Sequence, residues 1–431
     1  MSLRDKIPSN VEAISGEIAS VASLPRNDVL RRSSTAAMPH VLGALIPRRL
    51  SDFDYSLPKA RVAQFAPEER TSARLMVIDR STAAVQHKQF SDLADYFNAG
   101  DVLVLNDTKV MPARLFARRK TGGRVELLLL KELAADRGEW EVLVRPSGRV
   151  RVGEHIHVGT DHELAAELLS ESDYGTGIRR VRFHSKSSVK EMLAQFGRIP
   201  LPPYIDREDT TADRELYQTV FAKHLGAVAS PTAGLHFSKG LLEQLTLKGV
   251  EVLCVTLHVG YGTFQPVTAE DLSRHRMYQE QFEVSSLTAE RVNRAKREGR
   301  PITACGTTVV RTLESAVGAN PCAVWSSAGW ALVWTVPRGW RGVRPRTVGQ
   351  TRGSVPTYRI NPIRGTTNLF IYPPYTFKVP DRLITNFHLP KSTLLMLTSA
   401  FAGHELLMRA YREAIQEKYR FYSYGDAMLI L

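Results

Sequence analysis

Cysteine is scarce in this chain: Cys254, Cys305 and Cys322 are the only three in 431 residues, and no two form a Cys-x-x-Cys pair. That spacing argues against a zinc ribbon, a dithiol redox pair and a cysteine-held iron–sulfur cluster. Cys254 and Cys305 fall in apolar, strand-like runs and read as buried thiols, which suits a reducing, cytoplasmic setting. No apolar run approaches the ~20 residues of a bilayer-spanning helix. The first residues lack the basic start, continuous apolar stretch and small-residue cleavage site of a secretory signal. There is no His-Glu-x-x-His and no Cys/His grouping at zinc spacing, so neither a metal nor a bound cofactor is expected. A Gly-x-Ser-x-Gly nucleophile elbow is also missing.

What is present is ordinary globular material, 43% hydrophobic and 23% charged, with a net charge of +13. Such a charge invites a nucleic-acid partner, but its distribution matters. Residues 1–50 hold seven Lys/Arg against four Asp/Glu, and residues 321–364 hold seven Arg and no acid. The excess therefore lies mostly outside the stretches that carry the motifs below.

Residues 1–49 mix Ser, Ala and Arg without a sustained period and read as a disordered extension. Asp101–Leu105 is a short buried strand, with Asn106–Thr108 as the turn after it. Over 113–187 the segments Arg124–Leu130, Trp140–Val144, His155–Val158 and Ile178–Phe183 are short, rich in branched residues and separated by Gly turns. They predict a small β-barrel inserted in the chain. Around it, residues 50–112 and 188–431 form a larger domain in which strand, loop and helix repeat. Leu225–Ala229, Val250–Leu257, Ile302–Cys305 and Leu383–Thr385 read as strands. Helices are predicted after Ser238, over Leu287–Glu298, over Thr307–Val317 and after Ser392. The whole is an α/β architecture. Residues 320–364 interrupt it with four of the five Trp, many Gly and Pro, and the acid-free Arg cluster. This is a long surface insertion, whose arginines are suited to a nucleic-acid backbone.

In open α/β sheets ligands gather at the carboxyl ends of the strands, and polar residues concentrate in those loops here. Ser230–Phe237 carries His236, a candidate for moving a proton or simply a hydrogen-bonded residue of a helix-entry loop. His258–Phe264 offers Tyr261 as a stacking face between two glycines, or is a plain turn; a full Gly-x-Gly-x-x-Gly is missing. His275 and Glu280 form an acid/base pair, hold ribose hydroxyls, or belong to a solvated charged patch. Thr307, Arg311 and Glu314 share one face at a helix N-terminus, where free N–H groups favour a carboxylate; the alternative is an Arg–Glu surface pair. Thr385–Thr393 carries His388 and Lys391, without the glycines of a phosphate loop.

Eight strings go further: FDYSLP (Phe53–Pro58), VLNDTKVMPARL (Val104–Leu115), IPLPPYI (Ile199–Ile205), VASPTAGLHF (Val228–Phe237), LHVGYGTF (Leu257–Phe264), ACGTTVVRTLES (Ala304–Ser315), LITNFHLPKSTLL (Leu383–Leu395) and YRFYSYGDAM (Tyr419–Met428). In this order they resemble the S-adenosylmethionine:tRNA ribosyltransferase-isomerase family of queuosine synthesis, over residues 50–431. The resemblance implies a larger α/β domain holding a small β-barrel. It also implies transfer and isomerisation of the ribosyl part of S-adenosylmethionine onto 7-aminomethyl-7-deazaguanine at the tRNA wobble position. The products are epoxyqueuosine in tRNA, adenine and methionine. S-adenosylmethionine is then a co-substrate, tRNA the partner, and a cytoplasmic monomer the expected form. The catalytic candidates are His236 and His388, carried onto the matched strings, with His275 and Glu280 from the polar loop between two of the strings. The substrate-binding candidates are Asn106, Asp107, Arg114, Thr232, Tyr261, Thr263, Thr307, Arg311, Glu314, Asn386 and Lys391. Residues 1–50 precede the family's usual start, with Met38 as a candidate initiator, and Pro374 and Pro380 stand where the family pattern has Gly and Val. A degenerate member that only binds tRNA is the alternative. An S-adenosylmethionine methyltransferase would need a glycine-rich first loop, and a radical enzyme a three-cysteine cluster; the sequence has neither.

Overall fold

A computed structural model describes residues 47–159, 164–171, 177–185, 188–264, 267–318 and 358–431. The extension expected over 1–49 lies outside these as far as residue 46, and the insertion expected over 320–364 as far as residue 357.

The strands, in chain order, are β1 (Arg74–Asp79), β2 (Ala84–Gln89), β3 (Val102–Asn106), β4 (Thr108–Val110), β5 (Arg114–Arg119), β6 (Arg124–Ala134), β7 (Glu139–Arg145), β8 (His155–Val158), β9 (Leu164–Leu168), β10 (Ile178–His184), β11 (His224–Ala227), β12 (Glu251–Leu257), β13 (Glu280–Val284), β14 (Ile302–Cys305), β15 (Ile363–Thr367), β16 (Arg382–Asn386) and β17 (Ala427–Ile430). The helices are α1 (Val189–Phe196), α2 (Asp213–Leu216), α3 (Lys239–Leu247), α4 (Ser286–Arg297), α5 (Thr307–Ser315), α6 (Thr393–Ala402) and α7 (His404–Gln416).

Side chains alternate across a strand, and the main sheet uses both faces. Met76, Ile78, Val102, Val104, Leu383 and Met428 point into one core with the apolar faces of α4 to α7. Their neighbours Leu75, Val77, Leu103, Leu105, Ile384 and Leu429 point into another core with Phe90, Leu93, Leu241 and Leu245. This nine-stranded sheet has the order β15-β13-β12-β3-β14-β16-β17-β1-β2. Its centre is parallel: β12 pairs with β3, β3 with β14 and β14 with β16, all in the same direction. β17 runs antiparallel to β16 and parallel to β1.

β5 to β10 close into a barrel of order β10-β7-β6-β5-β8-β9, so the α/β domain with an inserted small barrel is the observed fold. Leu115, Leu127, Val142, Ile156, Ala166 and Val181 fill the barrel. Met111 and Val228 of the larger body share its core, and Tyr261 packs against it. β12 is less buried than a strand covered on both faces: Leu253, Val255 and Leu257 are buried, but Cys254 is only half-buried. The last residues of the expected insertion belong to the sheet. Ile360 is buried and its backbone exchanges hydrogen bonds with the Asn293 side chain, while β15 pairs with β13.

Helix starts follow local chemistry. Ser238, Ser285 and Ser392 each accept a hydrogen bond from an amide in the first turn of α3, α4 and α6. α5 instead begins at Gly306, whose φ of 94° suits glycine, and whose N–H donates to the Ile384 carbonyl at 2.7 Å. That bond ties the helix start to the end of β16.

Among the described residues no helix is long and apolar enough to cross a membrane. No group of three His, Cys, Asp or Glu among them is placed to hold a metal ion.

Candidate active site

The parallel strands β3, β12, β14 and β16 end on the same edge of the sheet, where a ligand is expected in such a fold. A cavity of about 810 Å3, counted to its open mouth, lies there. Its walls come from the Ala229–Ala233 loop, Val259, the start of α5, the Thr385–Leu389 turn, Ser392, Leu394, and the aromatic pair Tyr204 and Tyr422 with Ser423. Of the candidates named from sequence, Thr232, Thr307, Arg311, Asn386 and His388 line it.

Arg311 is 4% exposed. Its Nε donates to the Leu369 carbonyl at 3.0 Å, and its Nη1 pairs with Glu280. Its Nη2 has no partner. A buried guanidinium needs its donors satisfied, so this Nη2 is an unmet donor in a residue that lines the cavity. Glu280 holds the group in place: its other oxygen accepts from the Gly260 N–H at 2.9 Å. The paired charges largely cancel, so anion binding here depends on directed N–H groups, those of Arg311 and of the first turn of α5.

Asn386 is set by its surroundings. Its Nδ2 lies 3.1 Å from the Tyr422 carbonyl, 3.4 Å from the Asp426 carbonyl and 3.0 Å from His236 Nε2. Carbonyl oxygens only accept, so the amide nitrogen is the donor there and His236 accepts at Nε2, carrying its proton on Nδ1. Asn386 Oδ1 is left buried and without a partner.

His388 contacts Thr385 Oγ1 through Nε2 at 2.7 Å, and its backbone N–H donates to Tyr411 Oη at 2.9 Å. Its carbonyl accepts from the Tyr55 hydroxyl. Burial pushes the His388 imidazole down to about 3. Burial does the same to His236, also to about 3, helped by Arg420 and Arg70. Both rings are neutral at physiological pH.

Other candidates stand elsewhere. His236 is buried behind Asn386 with its ring against Phe90, and lies in a small adjoining pocket with Arg70 and Tyr424 rather than on the main cavity wall. His275 and Glu280 do not meet as an acid/base pair: His275 packs edge-on against Phe370, while Glu280 belongs to Arg311. Glu314 turns away from Arg311, accepting from Tyr375 Oη and from the Lys378 and Val379 amides at 2.8–2.9 Å. Asn106 is spent on the Leu257 backbone, the Thr108 amide and Thr308 Oγ1, and Asp107 on Thr256 and His224. Arg114 pairs with Glu126 and the Leu201 carbonyl at the barrel junction. Tyr261 accepts from Arg145 at 3.0 Å beside the barrel. Lys391 is paired with Asp54 at the surface. Thr263 is in a short 3-10 turn, Tyr261–Phe264, and its side chain lies outside the described part of the chain. Sequence reasoning passed over Ser230, Tyr204, Tyr422 and Ser423. All lie within the strings that carried the resemblance, but nothing in their spacing marked them.

The queuosine biosynthesis protein family matches residues 50–430, nearly the whole described body. The chain belongs to this family. It is 45% identical over 385 residues to the S-adenosylmethionine:tRNA ribosyltransferase-isomerase of Flavobacterium psychrophilum, covering 89% of this chain and 100% of that one. It is 46% identical over 384 residues to the enzyme of the same name from Symbiobacterium thermophilum, with the same coverage. The crystal structure of the S-adenosylmethionine tRNA ribosyltransferase of Thermotoga maritima aligns at 34% identity with a TM-score of 0.45, over 88% of this chain and 100% of that one. These family members are named as enzymes, and nothing in the matches favours the tRNA-binding-only alternative.

Proposed function

We propose that this family member is an S-adenosylmethionine:tRNA ribosyltransferase-isomerase. It moves and isomerises the ribosyl group of S-adenosylmethionine onto 7-aminomethyl-7-deazaguanine at the tRNA wobble position, releasing adenine and methionine and leaving epoxyqueuosine. The observation that carries the reading is one cavity in which buried polar atoms of three family strings are left unpartnered: Ser230 Oγ, Arg311 Nη2 and Asn386 Oδ1. Buried polar groups are normally paired, so the cavity suits a ligand with donors and acceptors at separated points.

The methionine carboxylate binds at Arg311 Nη2 and the Thr307 end of α5, while Thr232 lines the opposite wall. His388 is the base that takes the proton from the ribose carbon beside the sulfonium, which acidifies it. With Nε2–H donated to Thr385, Nδ1 is the accepting atom. Burial keeps this ring deprotonated in the protein alone. The negative charge that develops as the proton leaves strengthens its hold on that proton in a dry cavity. Adenine then departs with a proton, the aminomethyl nitrogen of the tRNA base attacks the sugar and sheds one, and methionine leaves as the neutral thioether with the electron pair of its C–S bond. Glu280 and His236 are positioning residues for Arg311 and Asn386. The protein acts as a monomer in the cytoplasm, where its tRNA substrate is found.

The test is incubation with S-adenosylmethionine and tRNA carrying 7-aminomethyl-7-deazaguanine, reading adenine release and nucleoside mass. Adenine together with epoxyqueuosine establishes the reaction. Tight tRNA binding without adenine release would overturn it.

A further inference from the structure

The elements that line the cavity come from both faces of the sheet. Arg311 belongs to α5, which packs on the face shared with α4, α6 and α7. Ser230 precedes the 3-10 turn Thr232–His236, whose Ala233 sits in the core of the other face with Phe90 and Phe237. Asn386 reaches to this second side, against His236. A ligand whose carboxylate is at Arg311 and that reaches across the sheet edge meets Asn386 at its other end. On the proposed function, that other end is the purine.

We infer that Asn386 reads the 6-amino group of adenine. Its carboxamide nitrogen is held by two backbone carbonyls and an imidazole nitrogen, which leaves its oxygen as the amide atom without a partner, and an oxygen accepts from N–H but repels another acceptor. Ser230 Oγ, buried at 5% exposure and without a partner, supplies on the same cavity a hydroxyl that can donate to a ring nitrogen. Tyr204 and Tyr422, with ring centroids 4.7 Å apart, give the same end of the cavity an aromatic wall for a flat heterocycle. The lock makes this a specificity element. An amide free to turn would accept a 6-oxo purine by presenting its NH2, whereas this one cannot turn without setting its oxygen against the Tyr422 and Asp426 carbonyls.

The experiment measures dissociation constants on the full chain for S-adenosylmethionine, for its analogue lacking the 6-amino group and for its 6-oxo analogue. Binding is read rather than rate, because the analogues also change purine leaving ability. The desamino analogue should bind about 10- to 100-fold more weakly, the cost of leaving one buried acceptor unpaired, and the 6-oxo analogue more weakly still. In Asn386→Ala the penalty for losing the amine should vanish, since the atom it served is gone. Equal affinity of wild-type protein for the parent and the desamino analogue would overturn the inference with no variant needed. So would a folded Asn386→Ala protein that keeps the full penalty. The inference rests on the cavity holding S-adenosylmethionine. If the parent neither binds nor reacts, that reading fails as well; if it reacts normally and only the amine proves indifferent, this inference fails alone.

Discussion

A buried arginine with two of its three nitrogens occupied is costly to keep and informative to change. Arg311→Met would strand Glu280 in the core, and breaking such a pair costs about 3–5 kcal/mol, so loss of fold would obscure any loss of binding. Arg311→Lys keeps a charge for Glu280 but lacks the planar fork. Its S-adenosylmethionine affinity should fall about 10- to 100-fold, the cost of about 1.4–3 kcal/mol of charged hydrogen bond, with tRNA affinity unchanged by titration. The buried imidazoles of His236 and His388 predict a pH effect. Their folded pKa values, about 3, lie below the ordinary 6.5, so the unfolded chain takes up protons that the folded chain refuses. Stability is full above pH 6.5 and falls as the pH drops toward 3, by up to about 1.4 kcal/mol per pH unit for each ring. Urea melts at pH 7, 6 and 5 should show that slope, and His388→Gln should remove its own share; an unchanged slope would contradict it. His388→Gln should also lower kcat about 100-fold or more as the base is lost. From sequence, His236, His275 and His388 were equivalent, each an imidazole in a polar loop. Only three-dimensional partners separate them, since Asn386 claims one ring, Phe370 borders another and the third alone lines the cavity. The residue types of the site were legible; which atoms remained unspent was not.

Elements turn those residues toward one another. The positive φ of Gly306 starts α5 at the height of the β16 end, which aims Thr307 and, one turn on, Arg311 at the cavity. Gly306→Ala should cost about 1–3 kcal/mol in stability and weaken S-adenosylmethionine binding beyond what that destabilisation explains, checked by thermal melts alongside titration. Glu314, on the same helix, anchors the loop through Lys378 and Val379. Glu314→Ala leaves two amides and a hydroxyl without their acceptor and should lower the melting temperature clearly, while a merely exposed Arg–Glu pair would change it little. Helices with a serine cap, such as α3, α4 and α6, were legible in the sequence because that signal is local. β1, β2 and β17 were not. β17 is four apolar residues that become a strand only between β16 and β1, and β2 is largely exposed and has no alternation to read. The barrel was visible as a cluster of short strands, but β5 and β9 gained definition only through closure.

At the scale of the whole molecule, an acid-free stretch of arginines is set between two neighbouring points of the fold. Val317 bridges to Ile360 in antiparallel fashion, and the Gly318 N–H donates to the Arg359 carbonyl at 3.3 Å. The described residues on either side of 319–357 thus lie at adjacent points of the body, an arrangement in which a long intervening stretch costs the fold little. That stretch holds five Arg, at 338, 341, 344, 346 and 352, and no acid. Joining Gly318 to Tyr358 through a short Gly/Ser linker should leave the melting temperature within about 2 °C, because the bridge, β15 and the Asn293–Ile360 hydrogen bonds all remain; a shift of that size corresponds to about 1.5 kcal/mol in a body this large. The S-adenosylmethionine dissociation constant should also be unchanged, since every wall of the cavity lies in the retained body. If the five arginines neutralise tRNA phosphates, affinity for tRNA should drop and the slope of log K against log salt should become shallower by up to about 0.9 for each phosphate no longer neutralised. An equal salt slope with and without the segment would assign tRNA binding to the body alone. A large fall in melting temperature would show instead that the segment completes the fold.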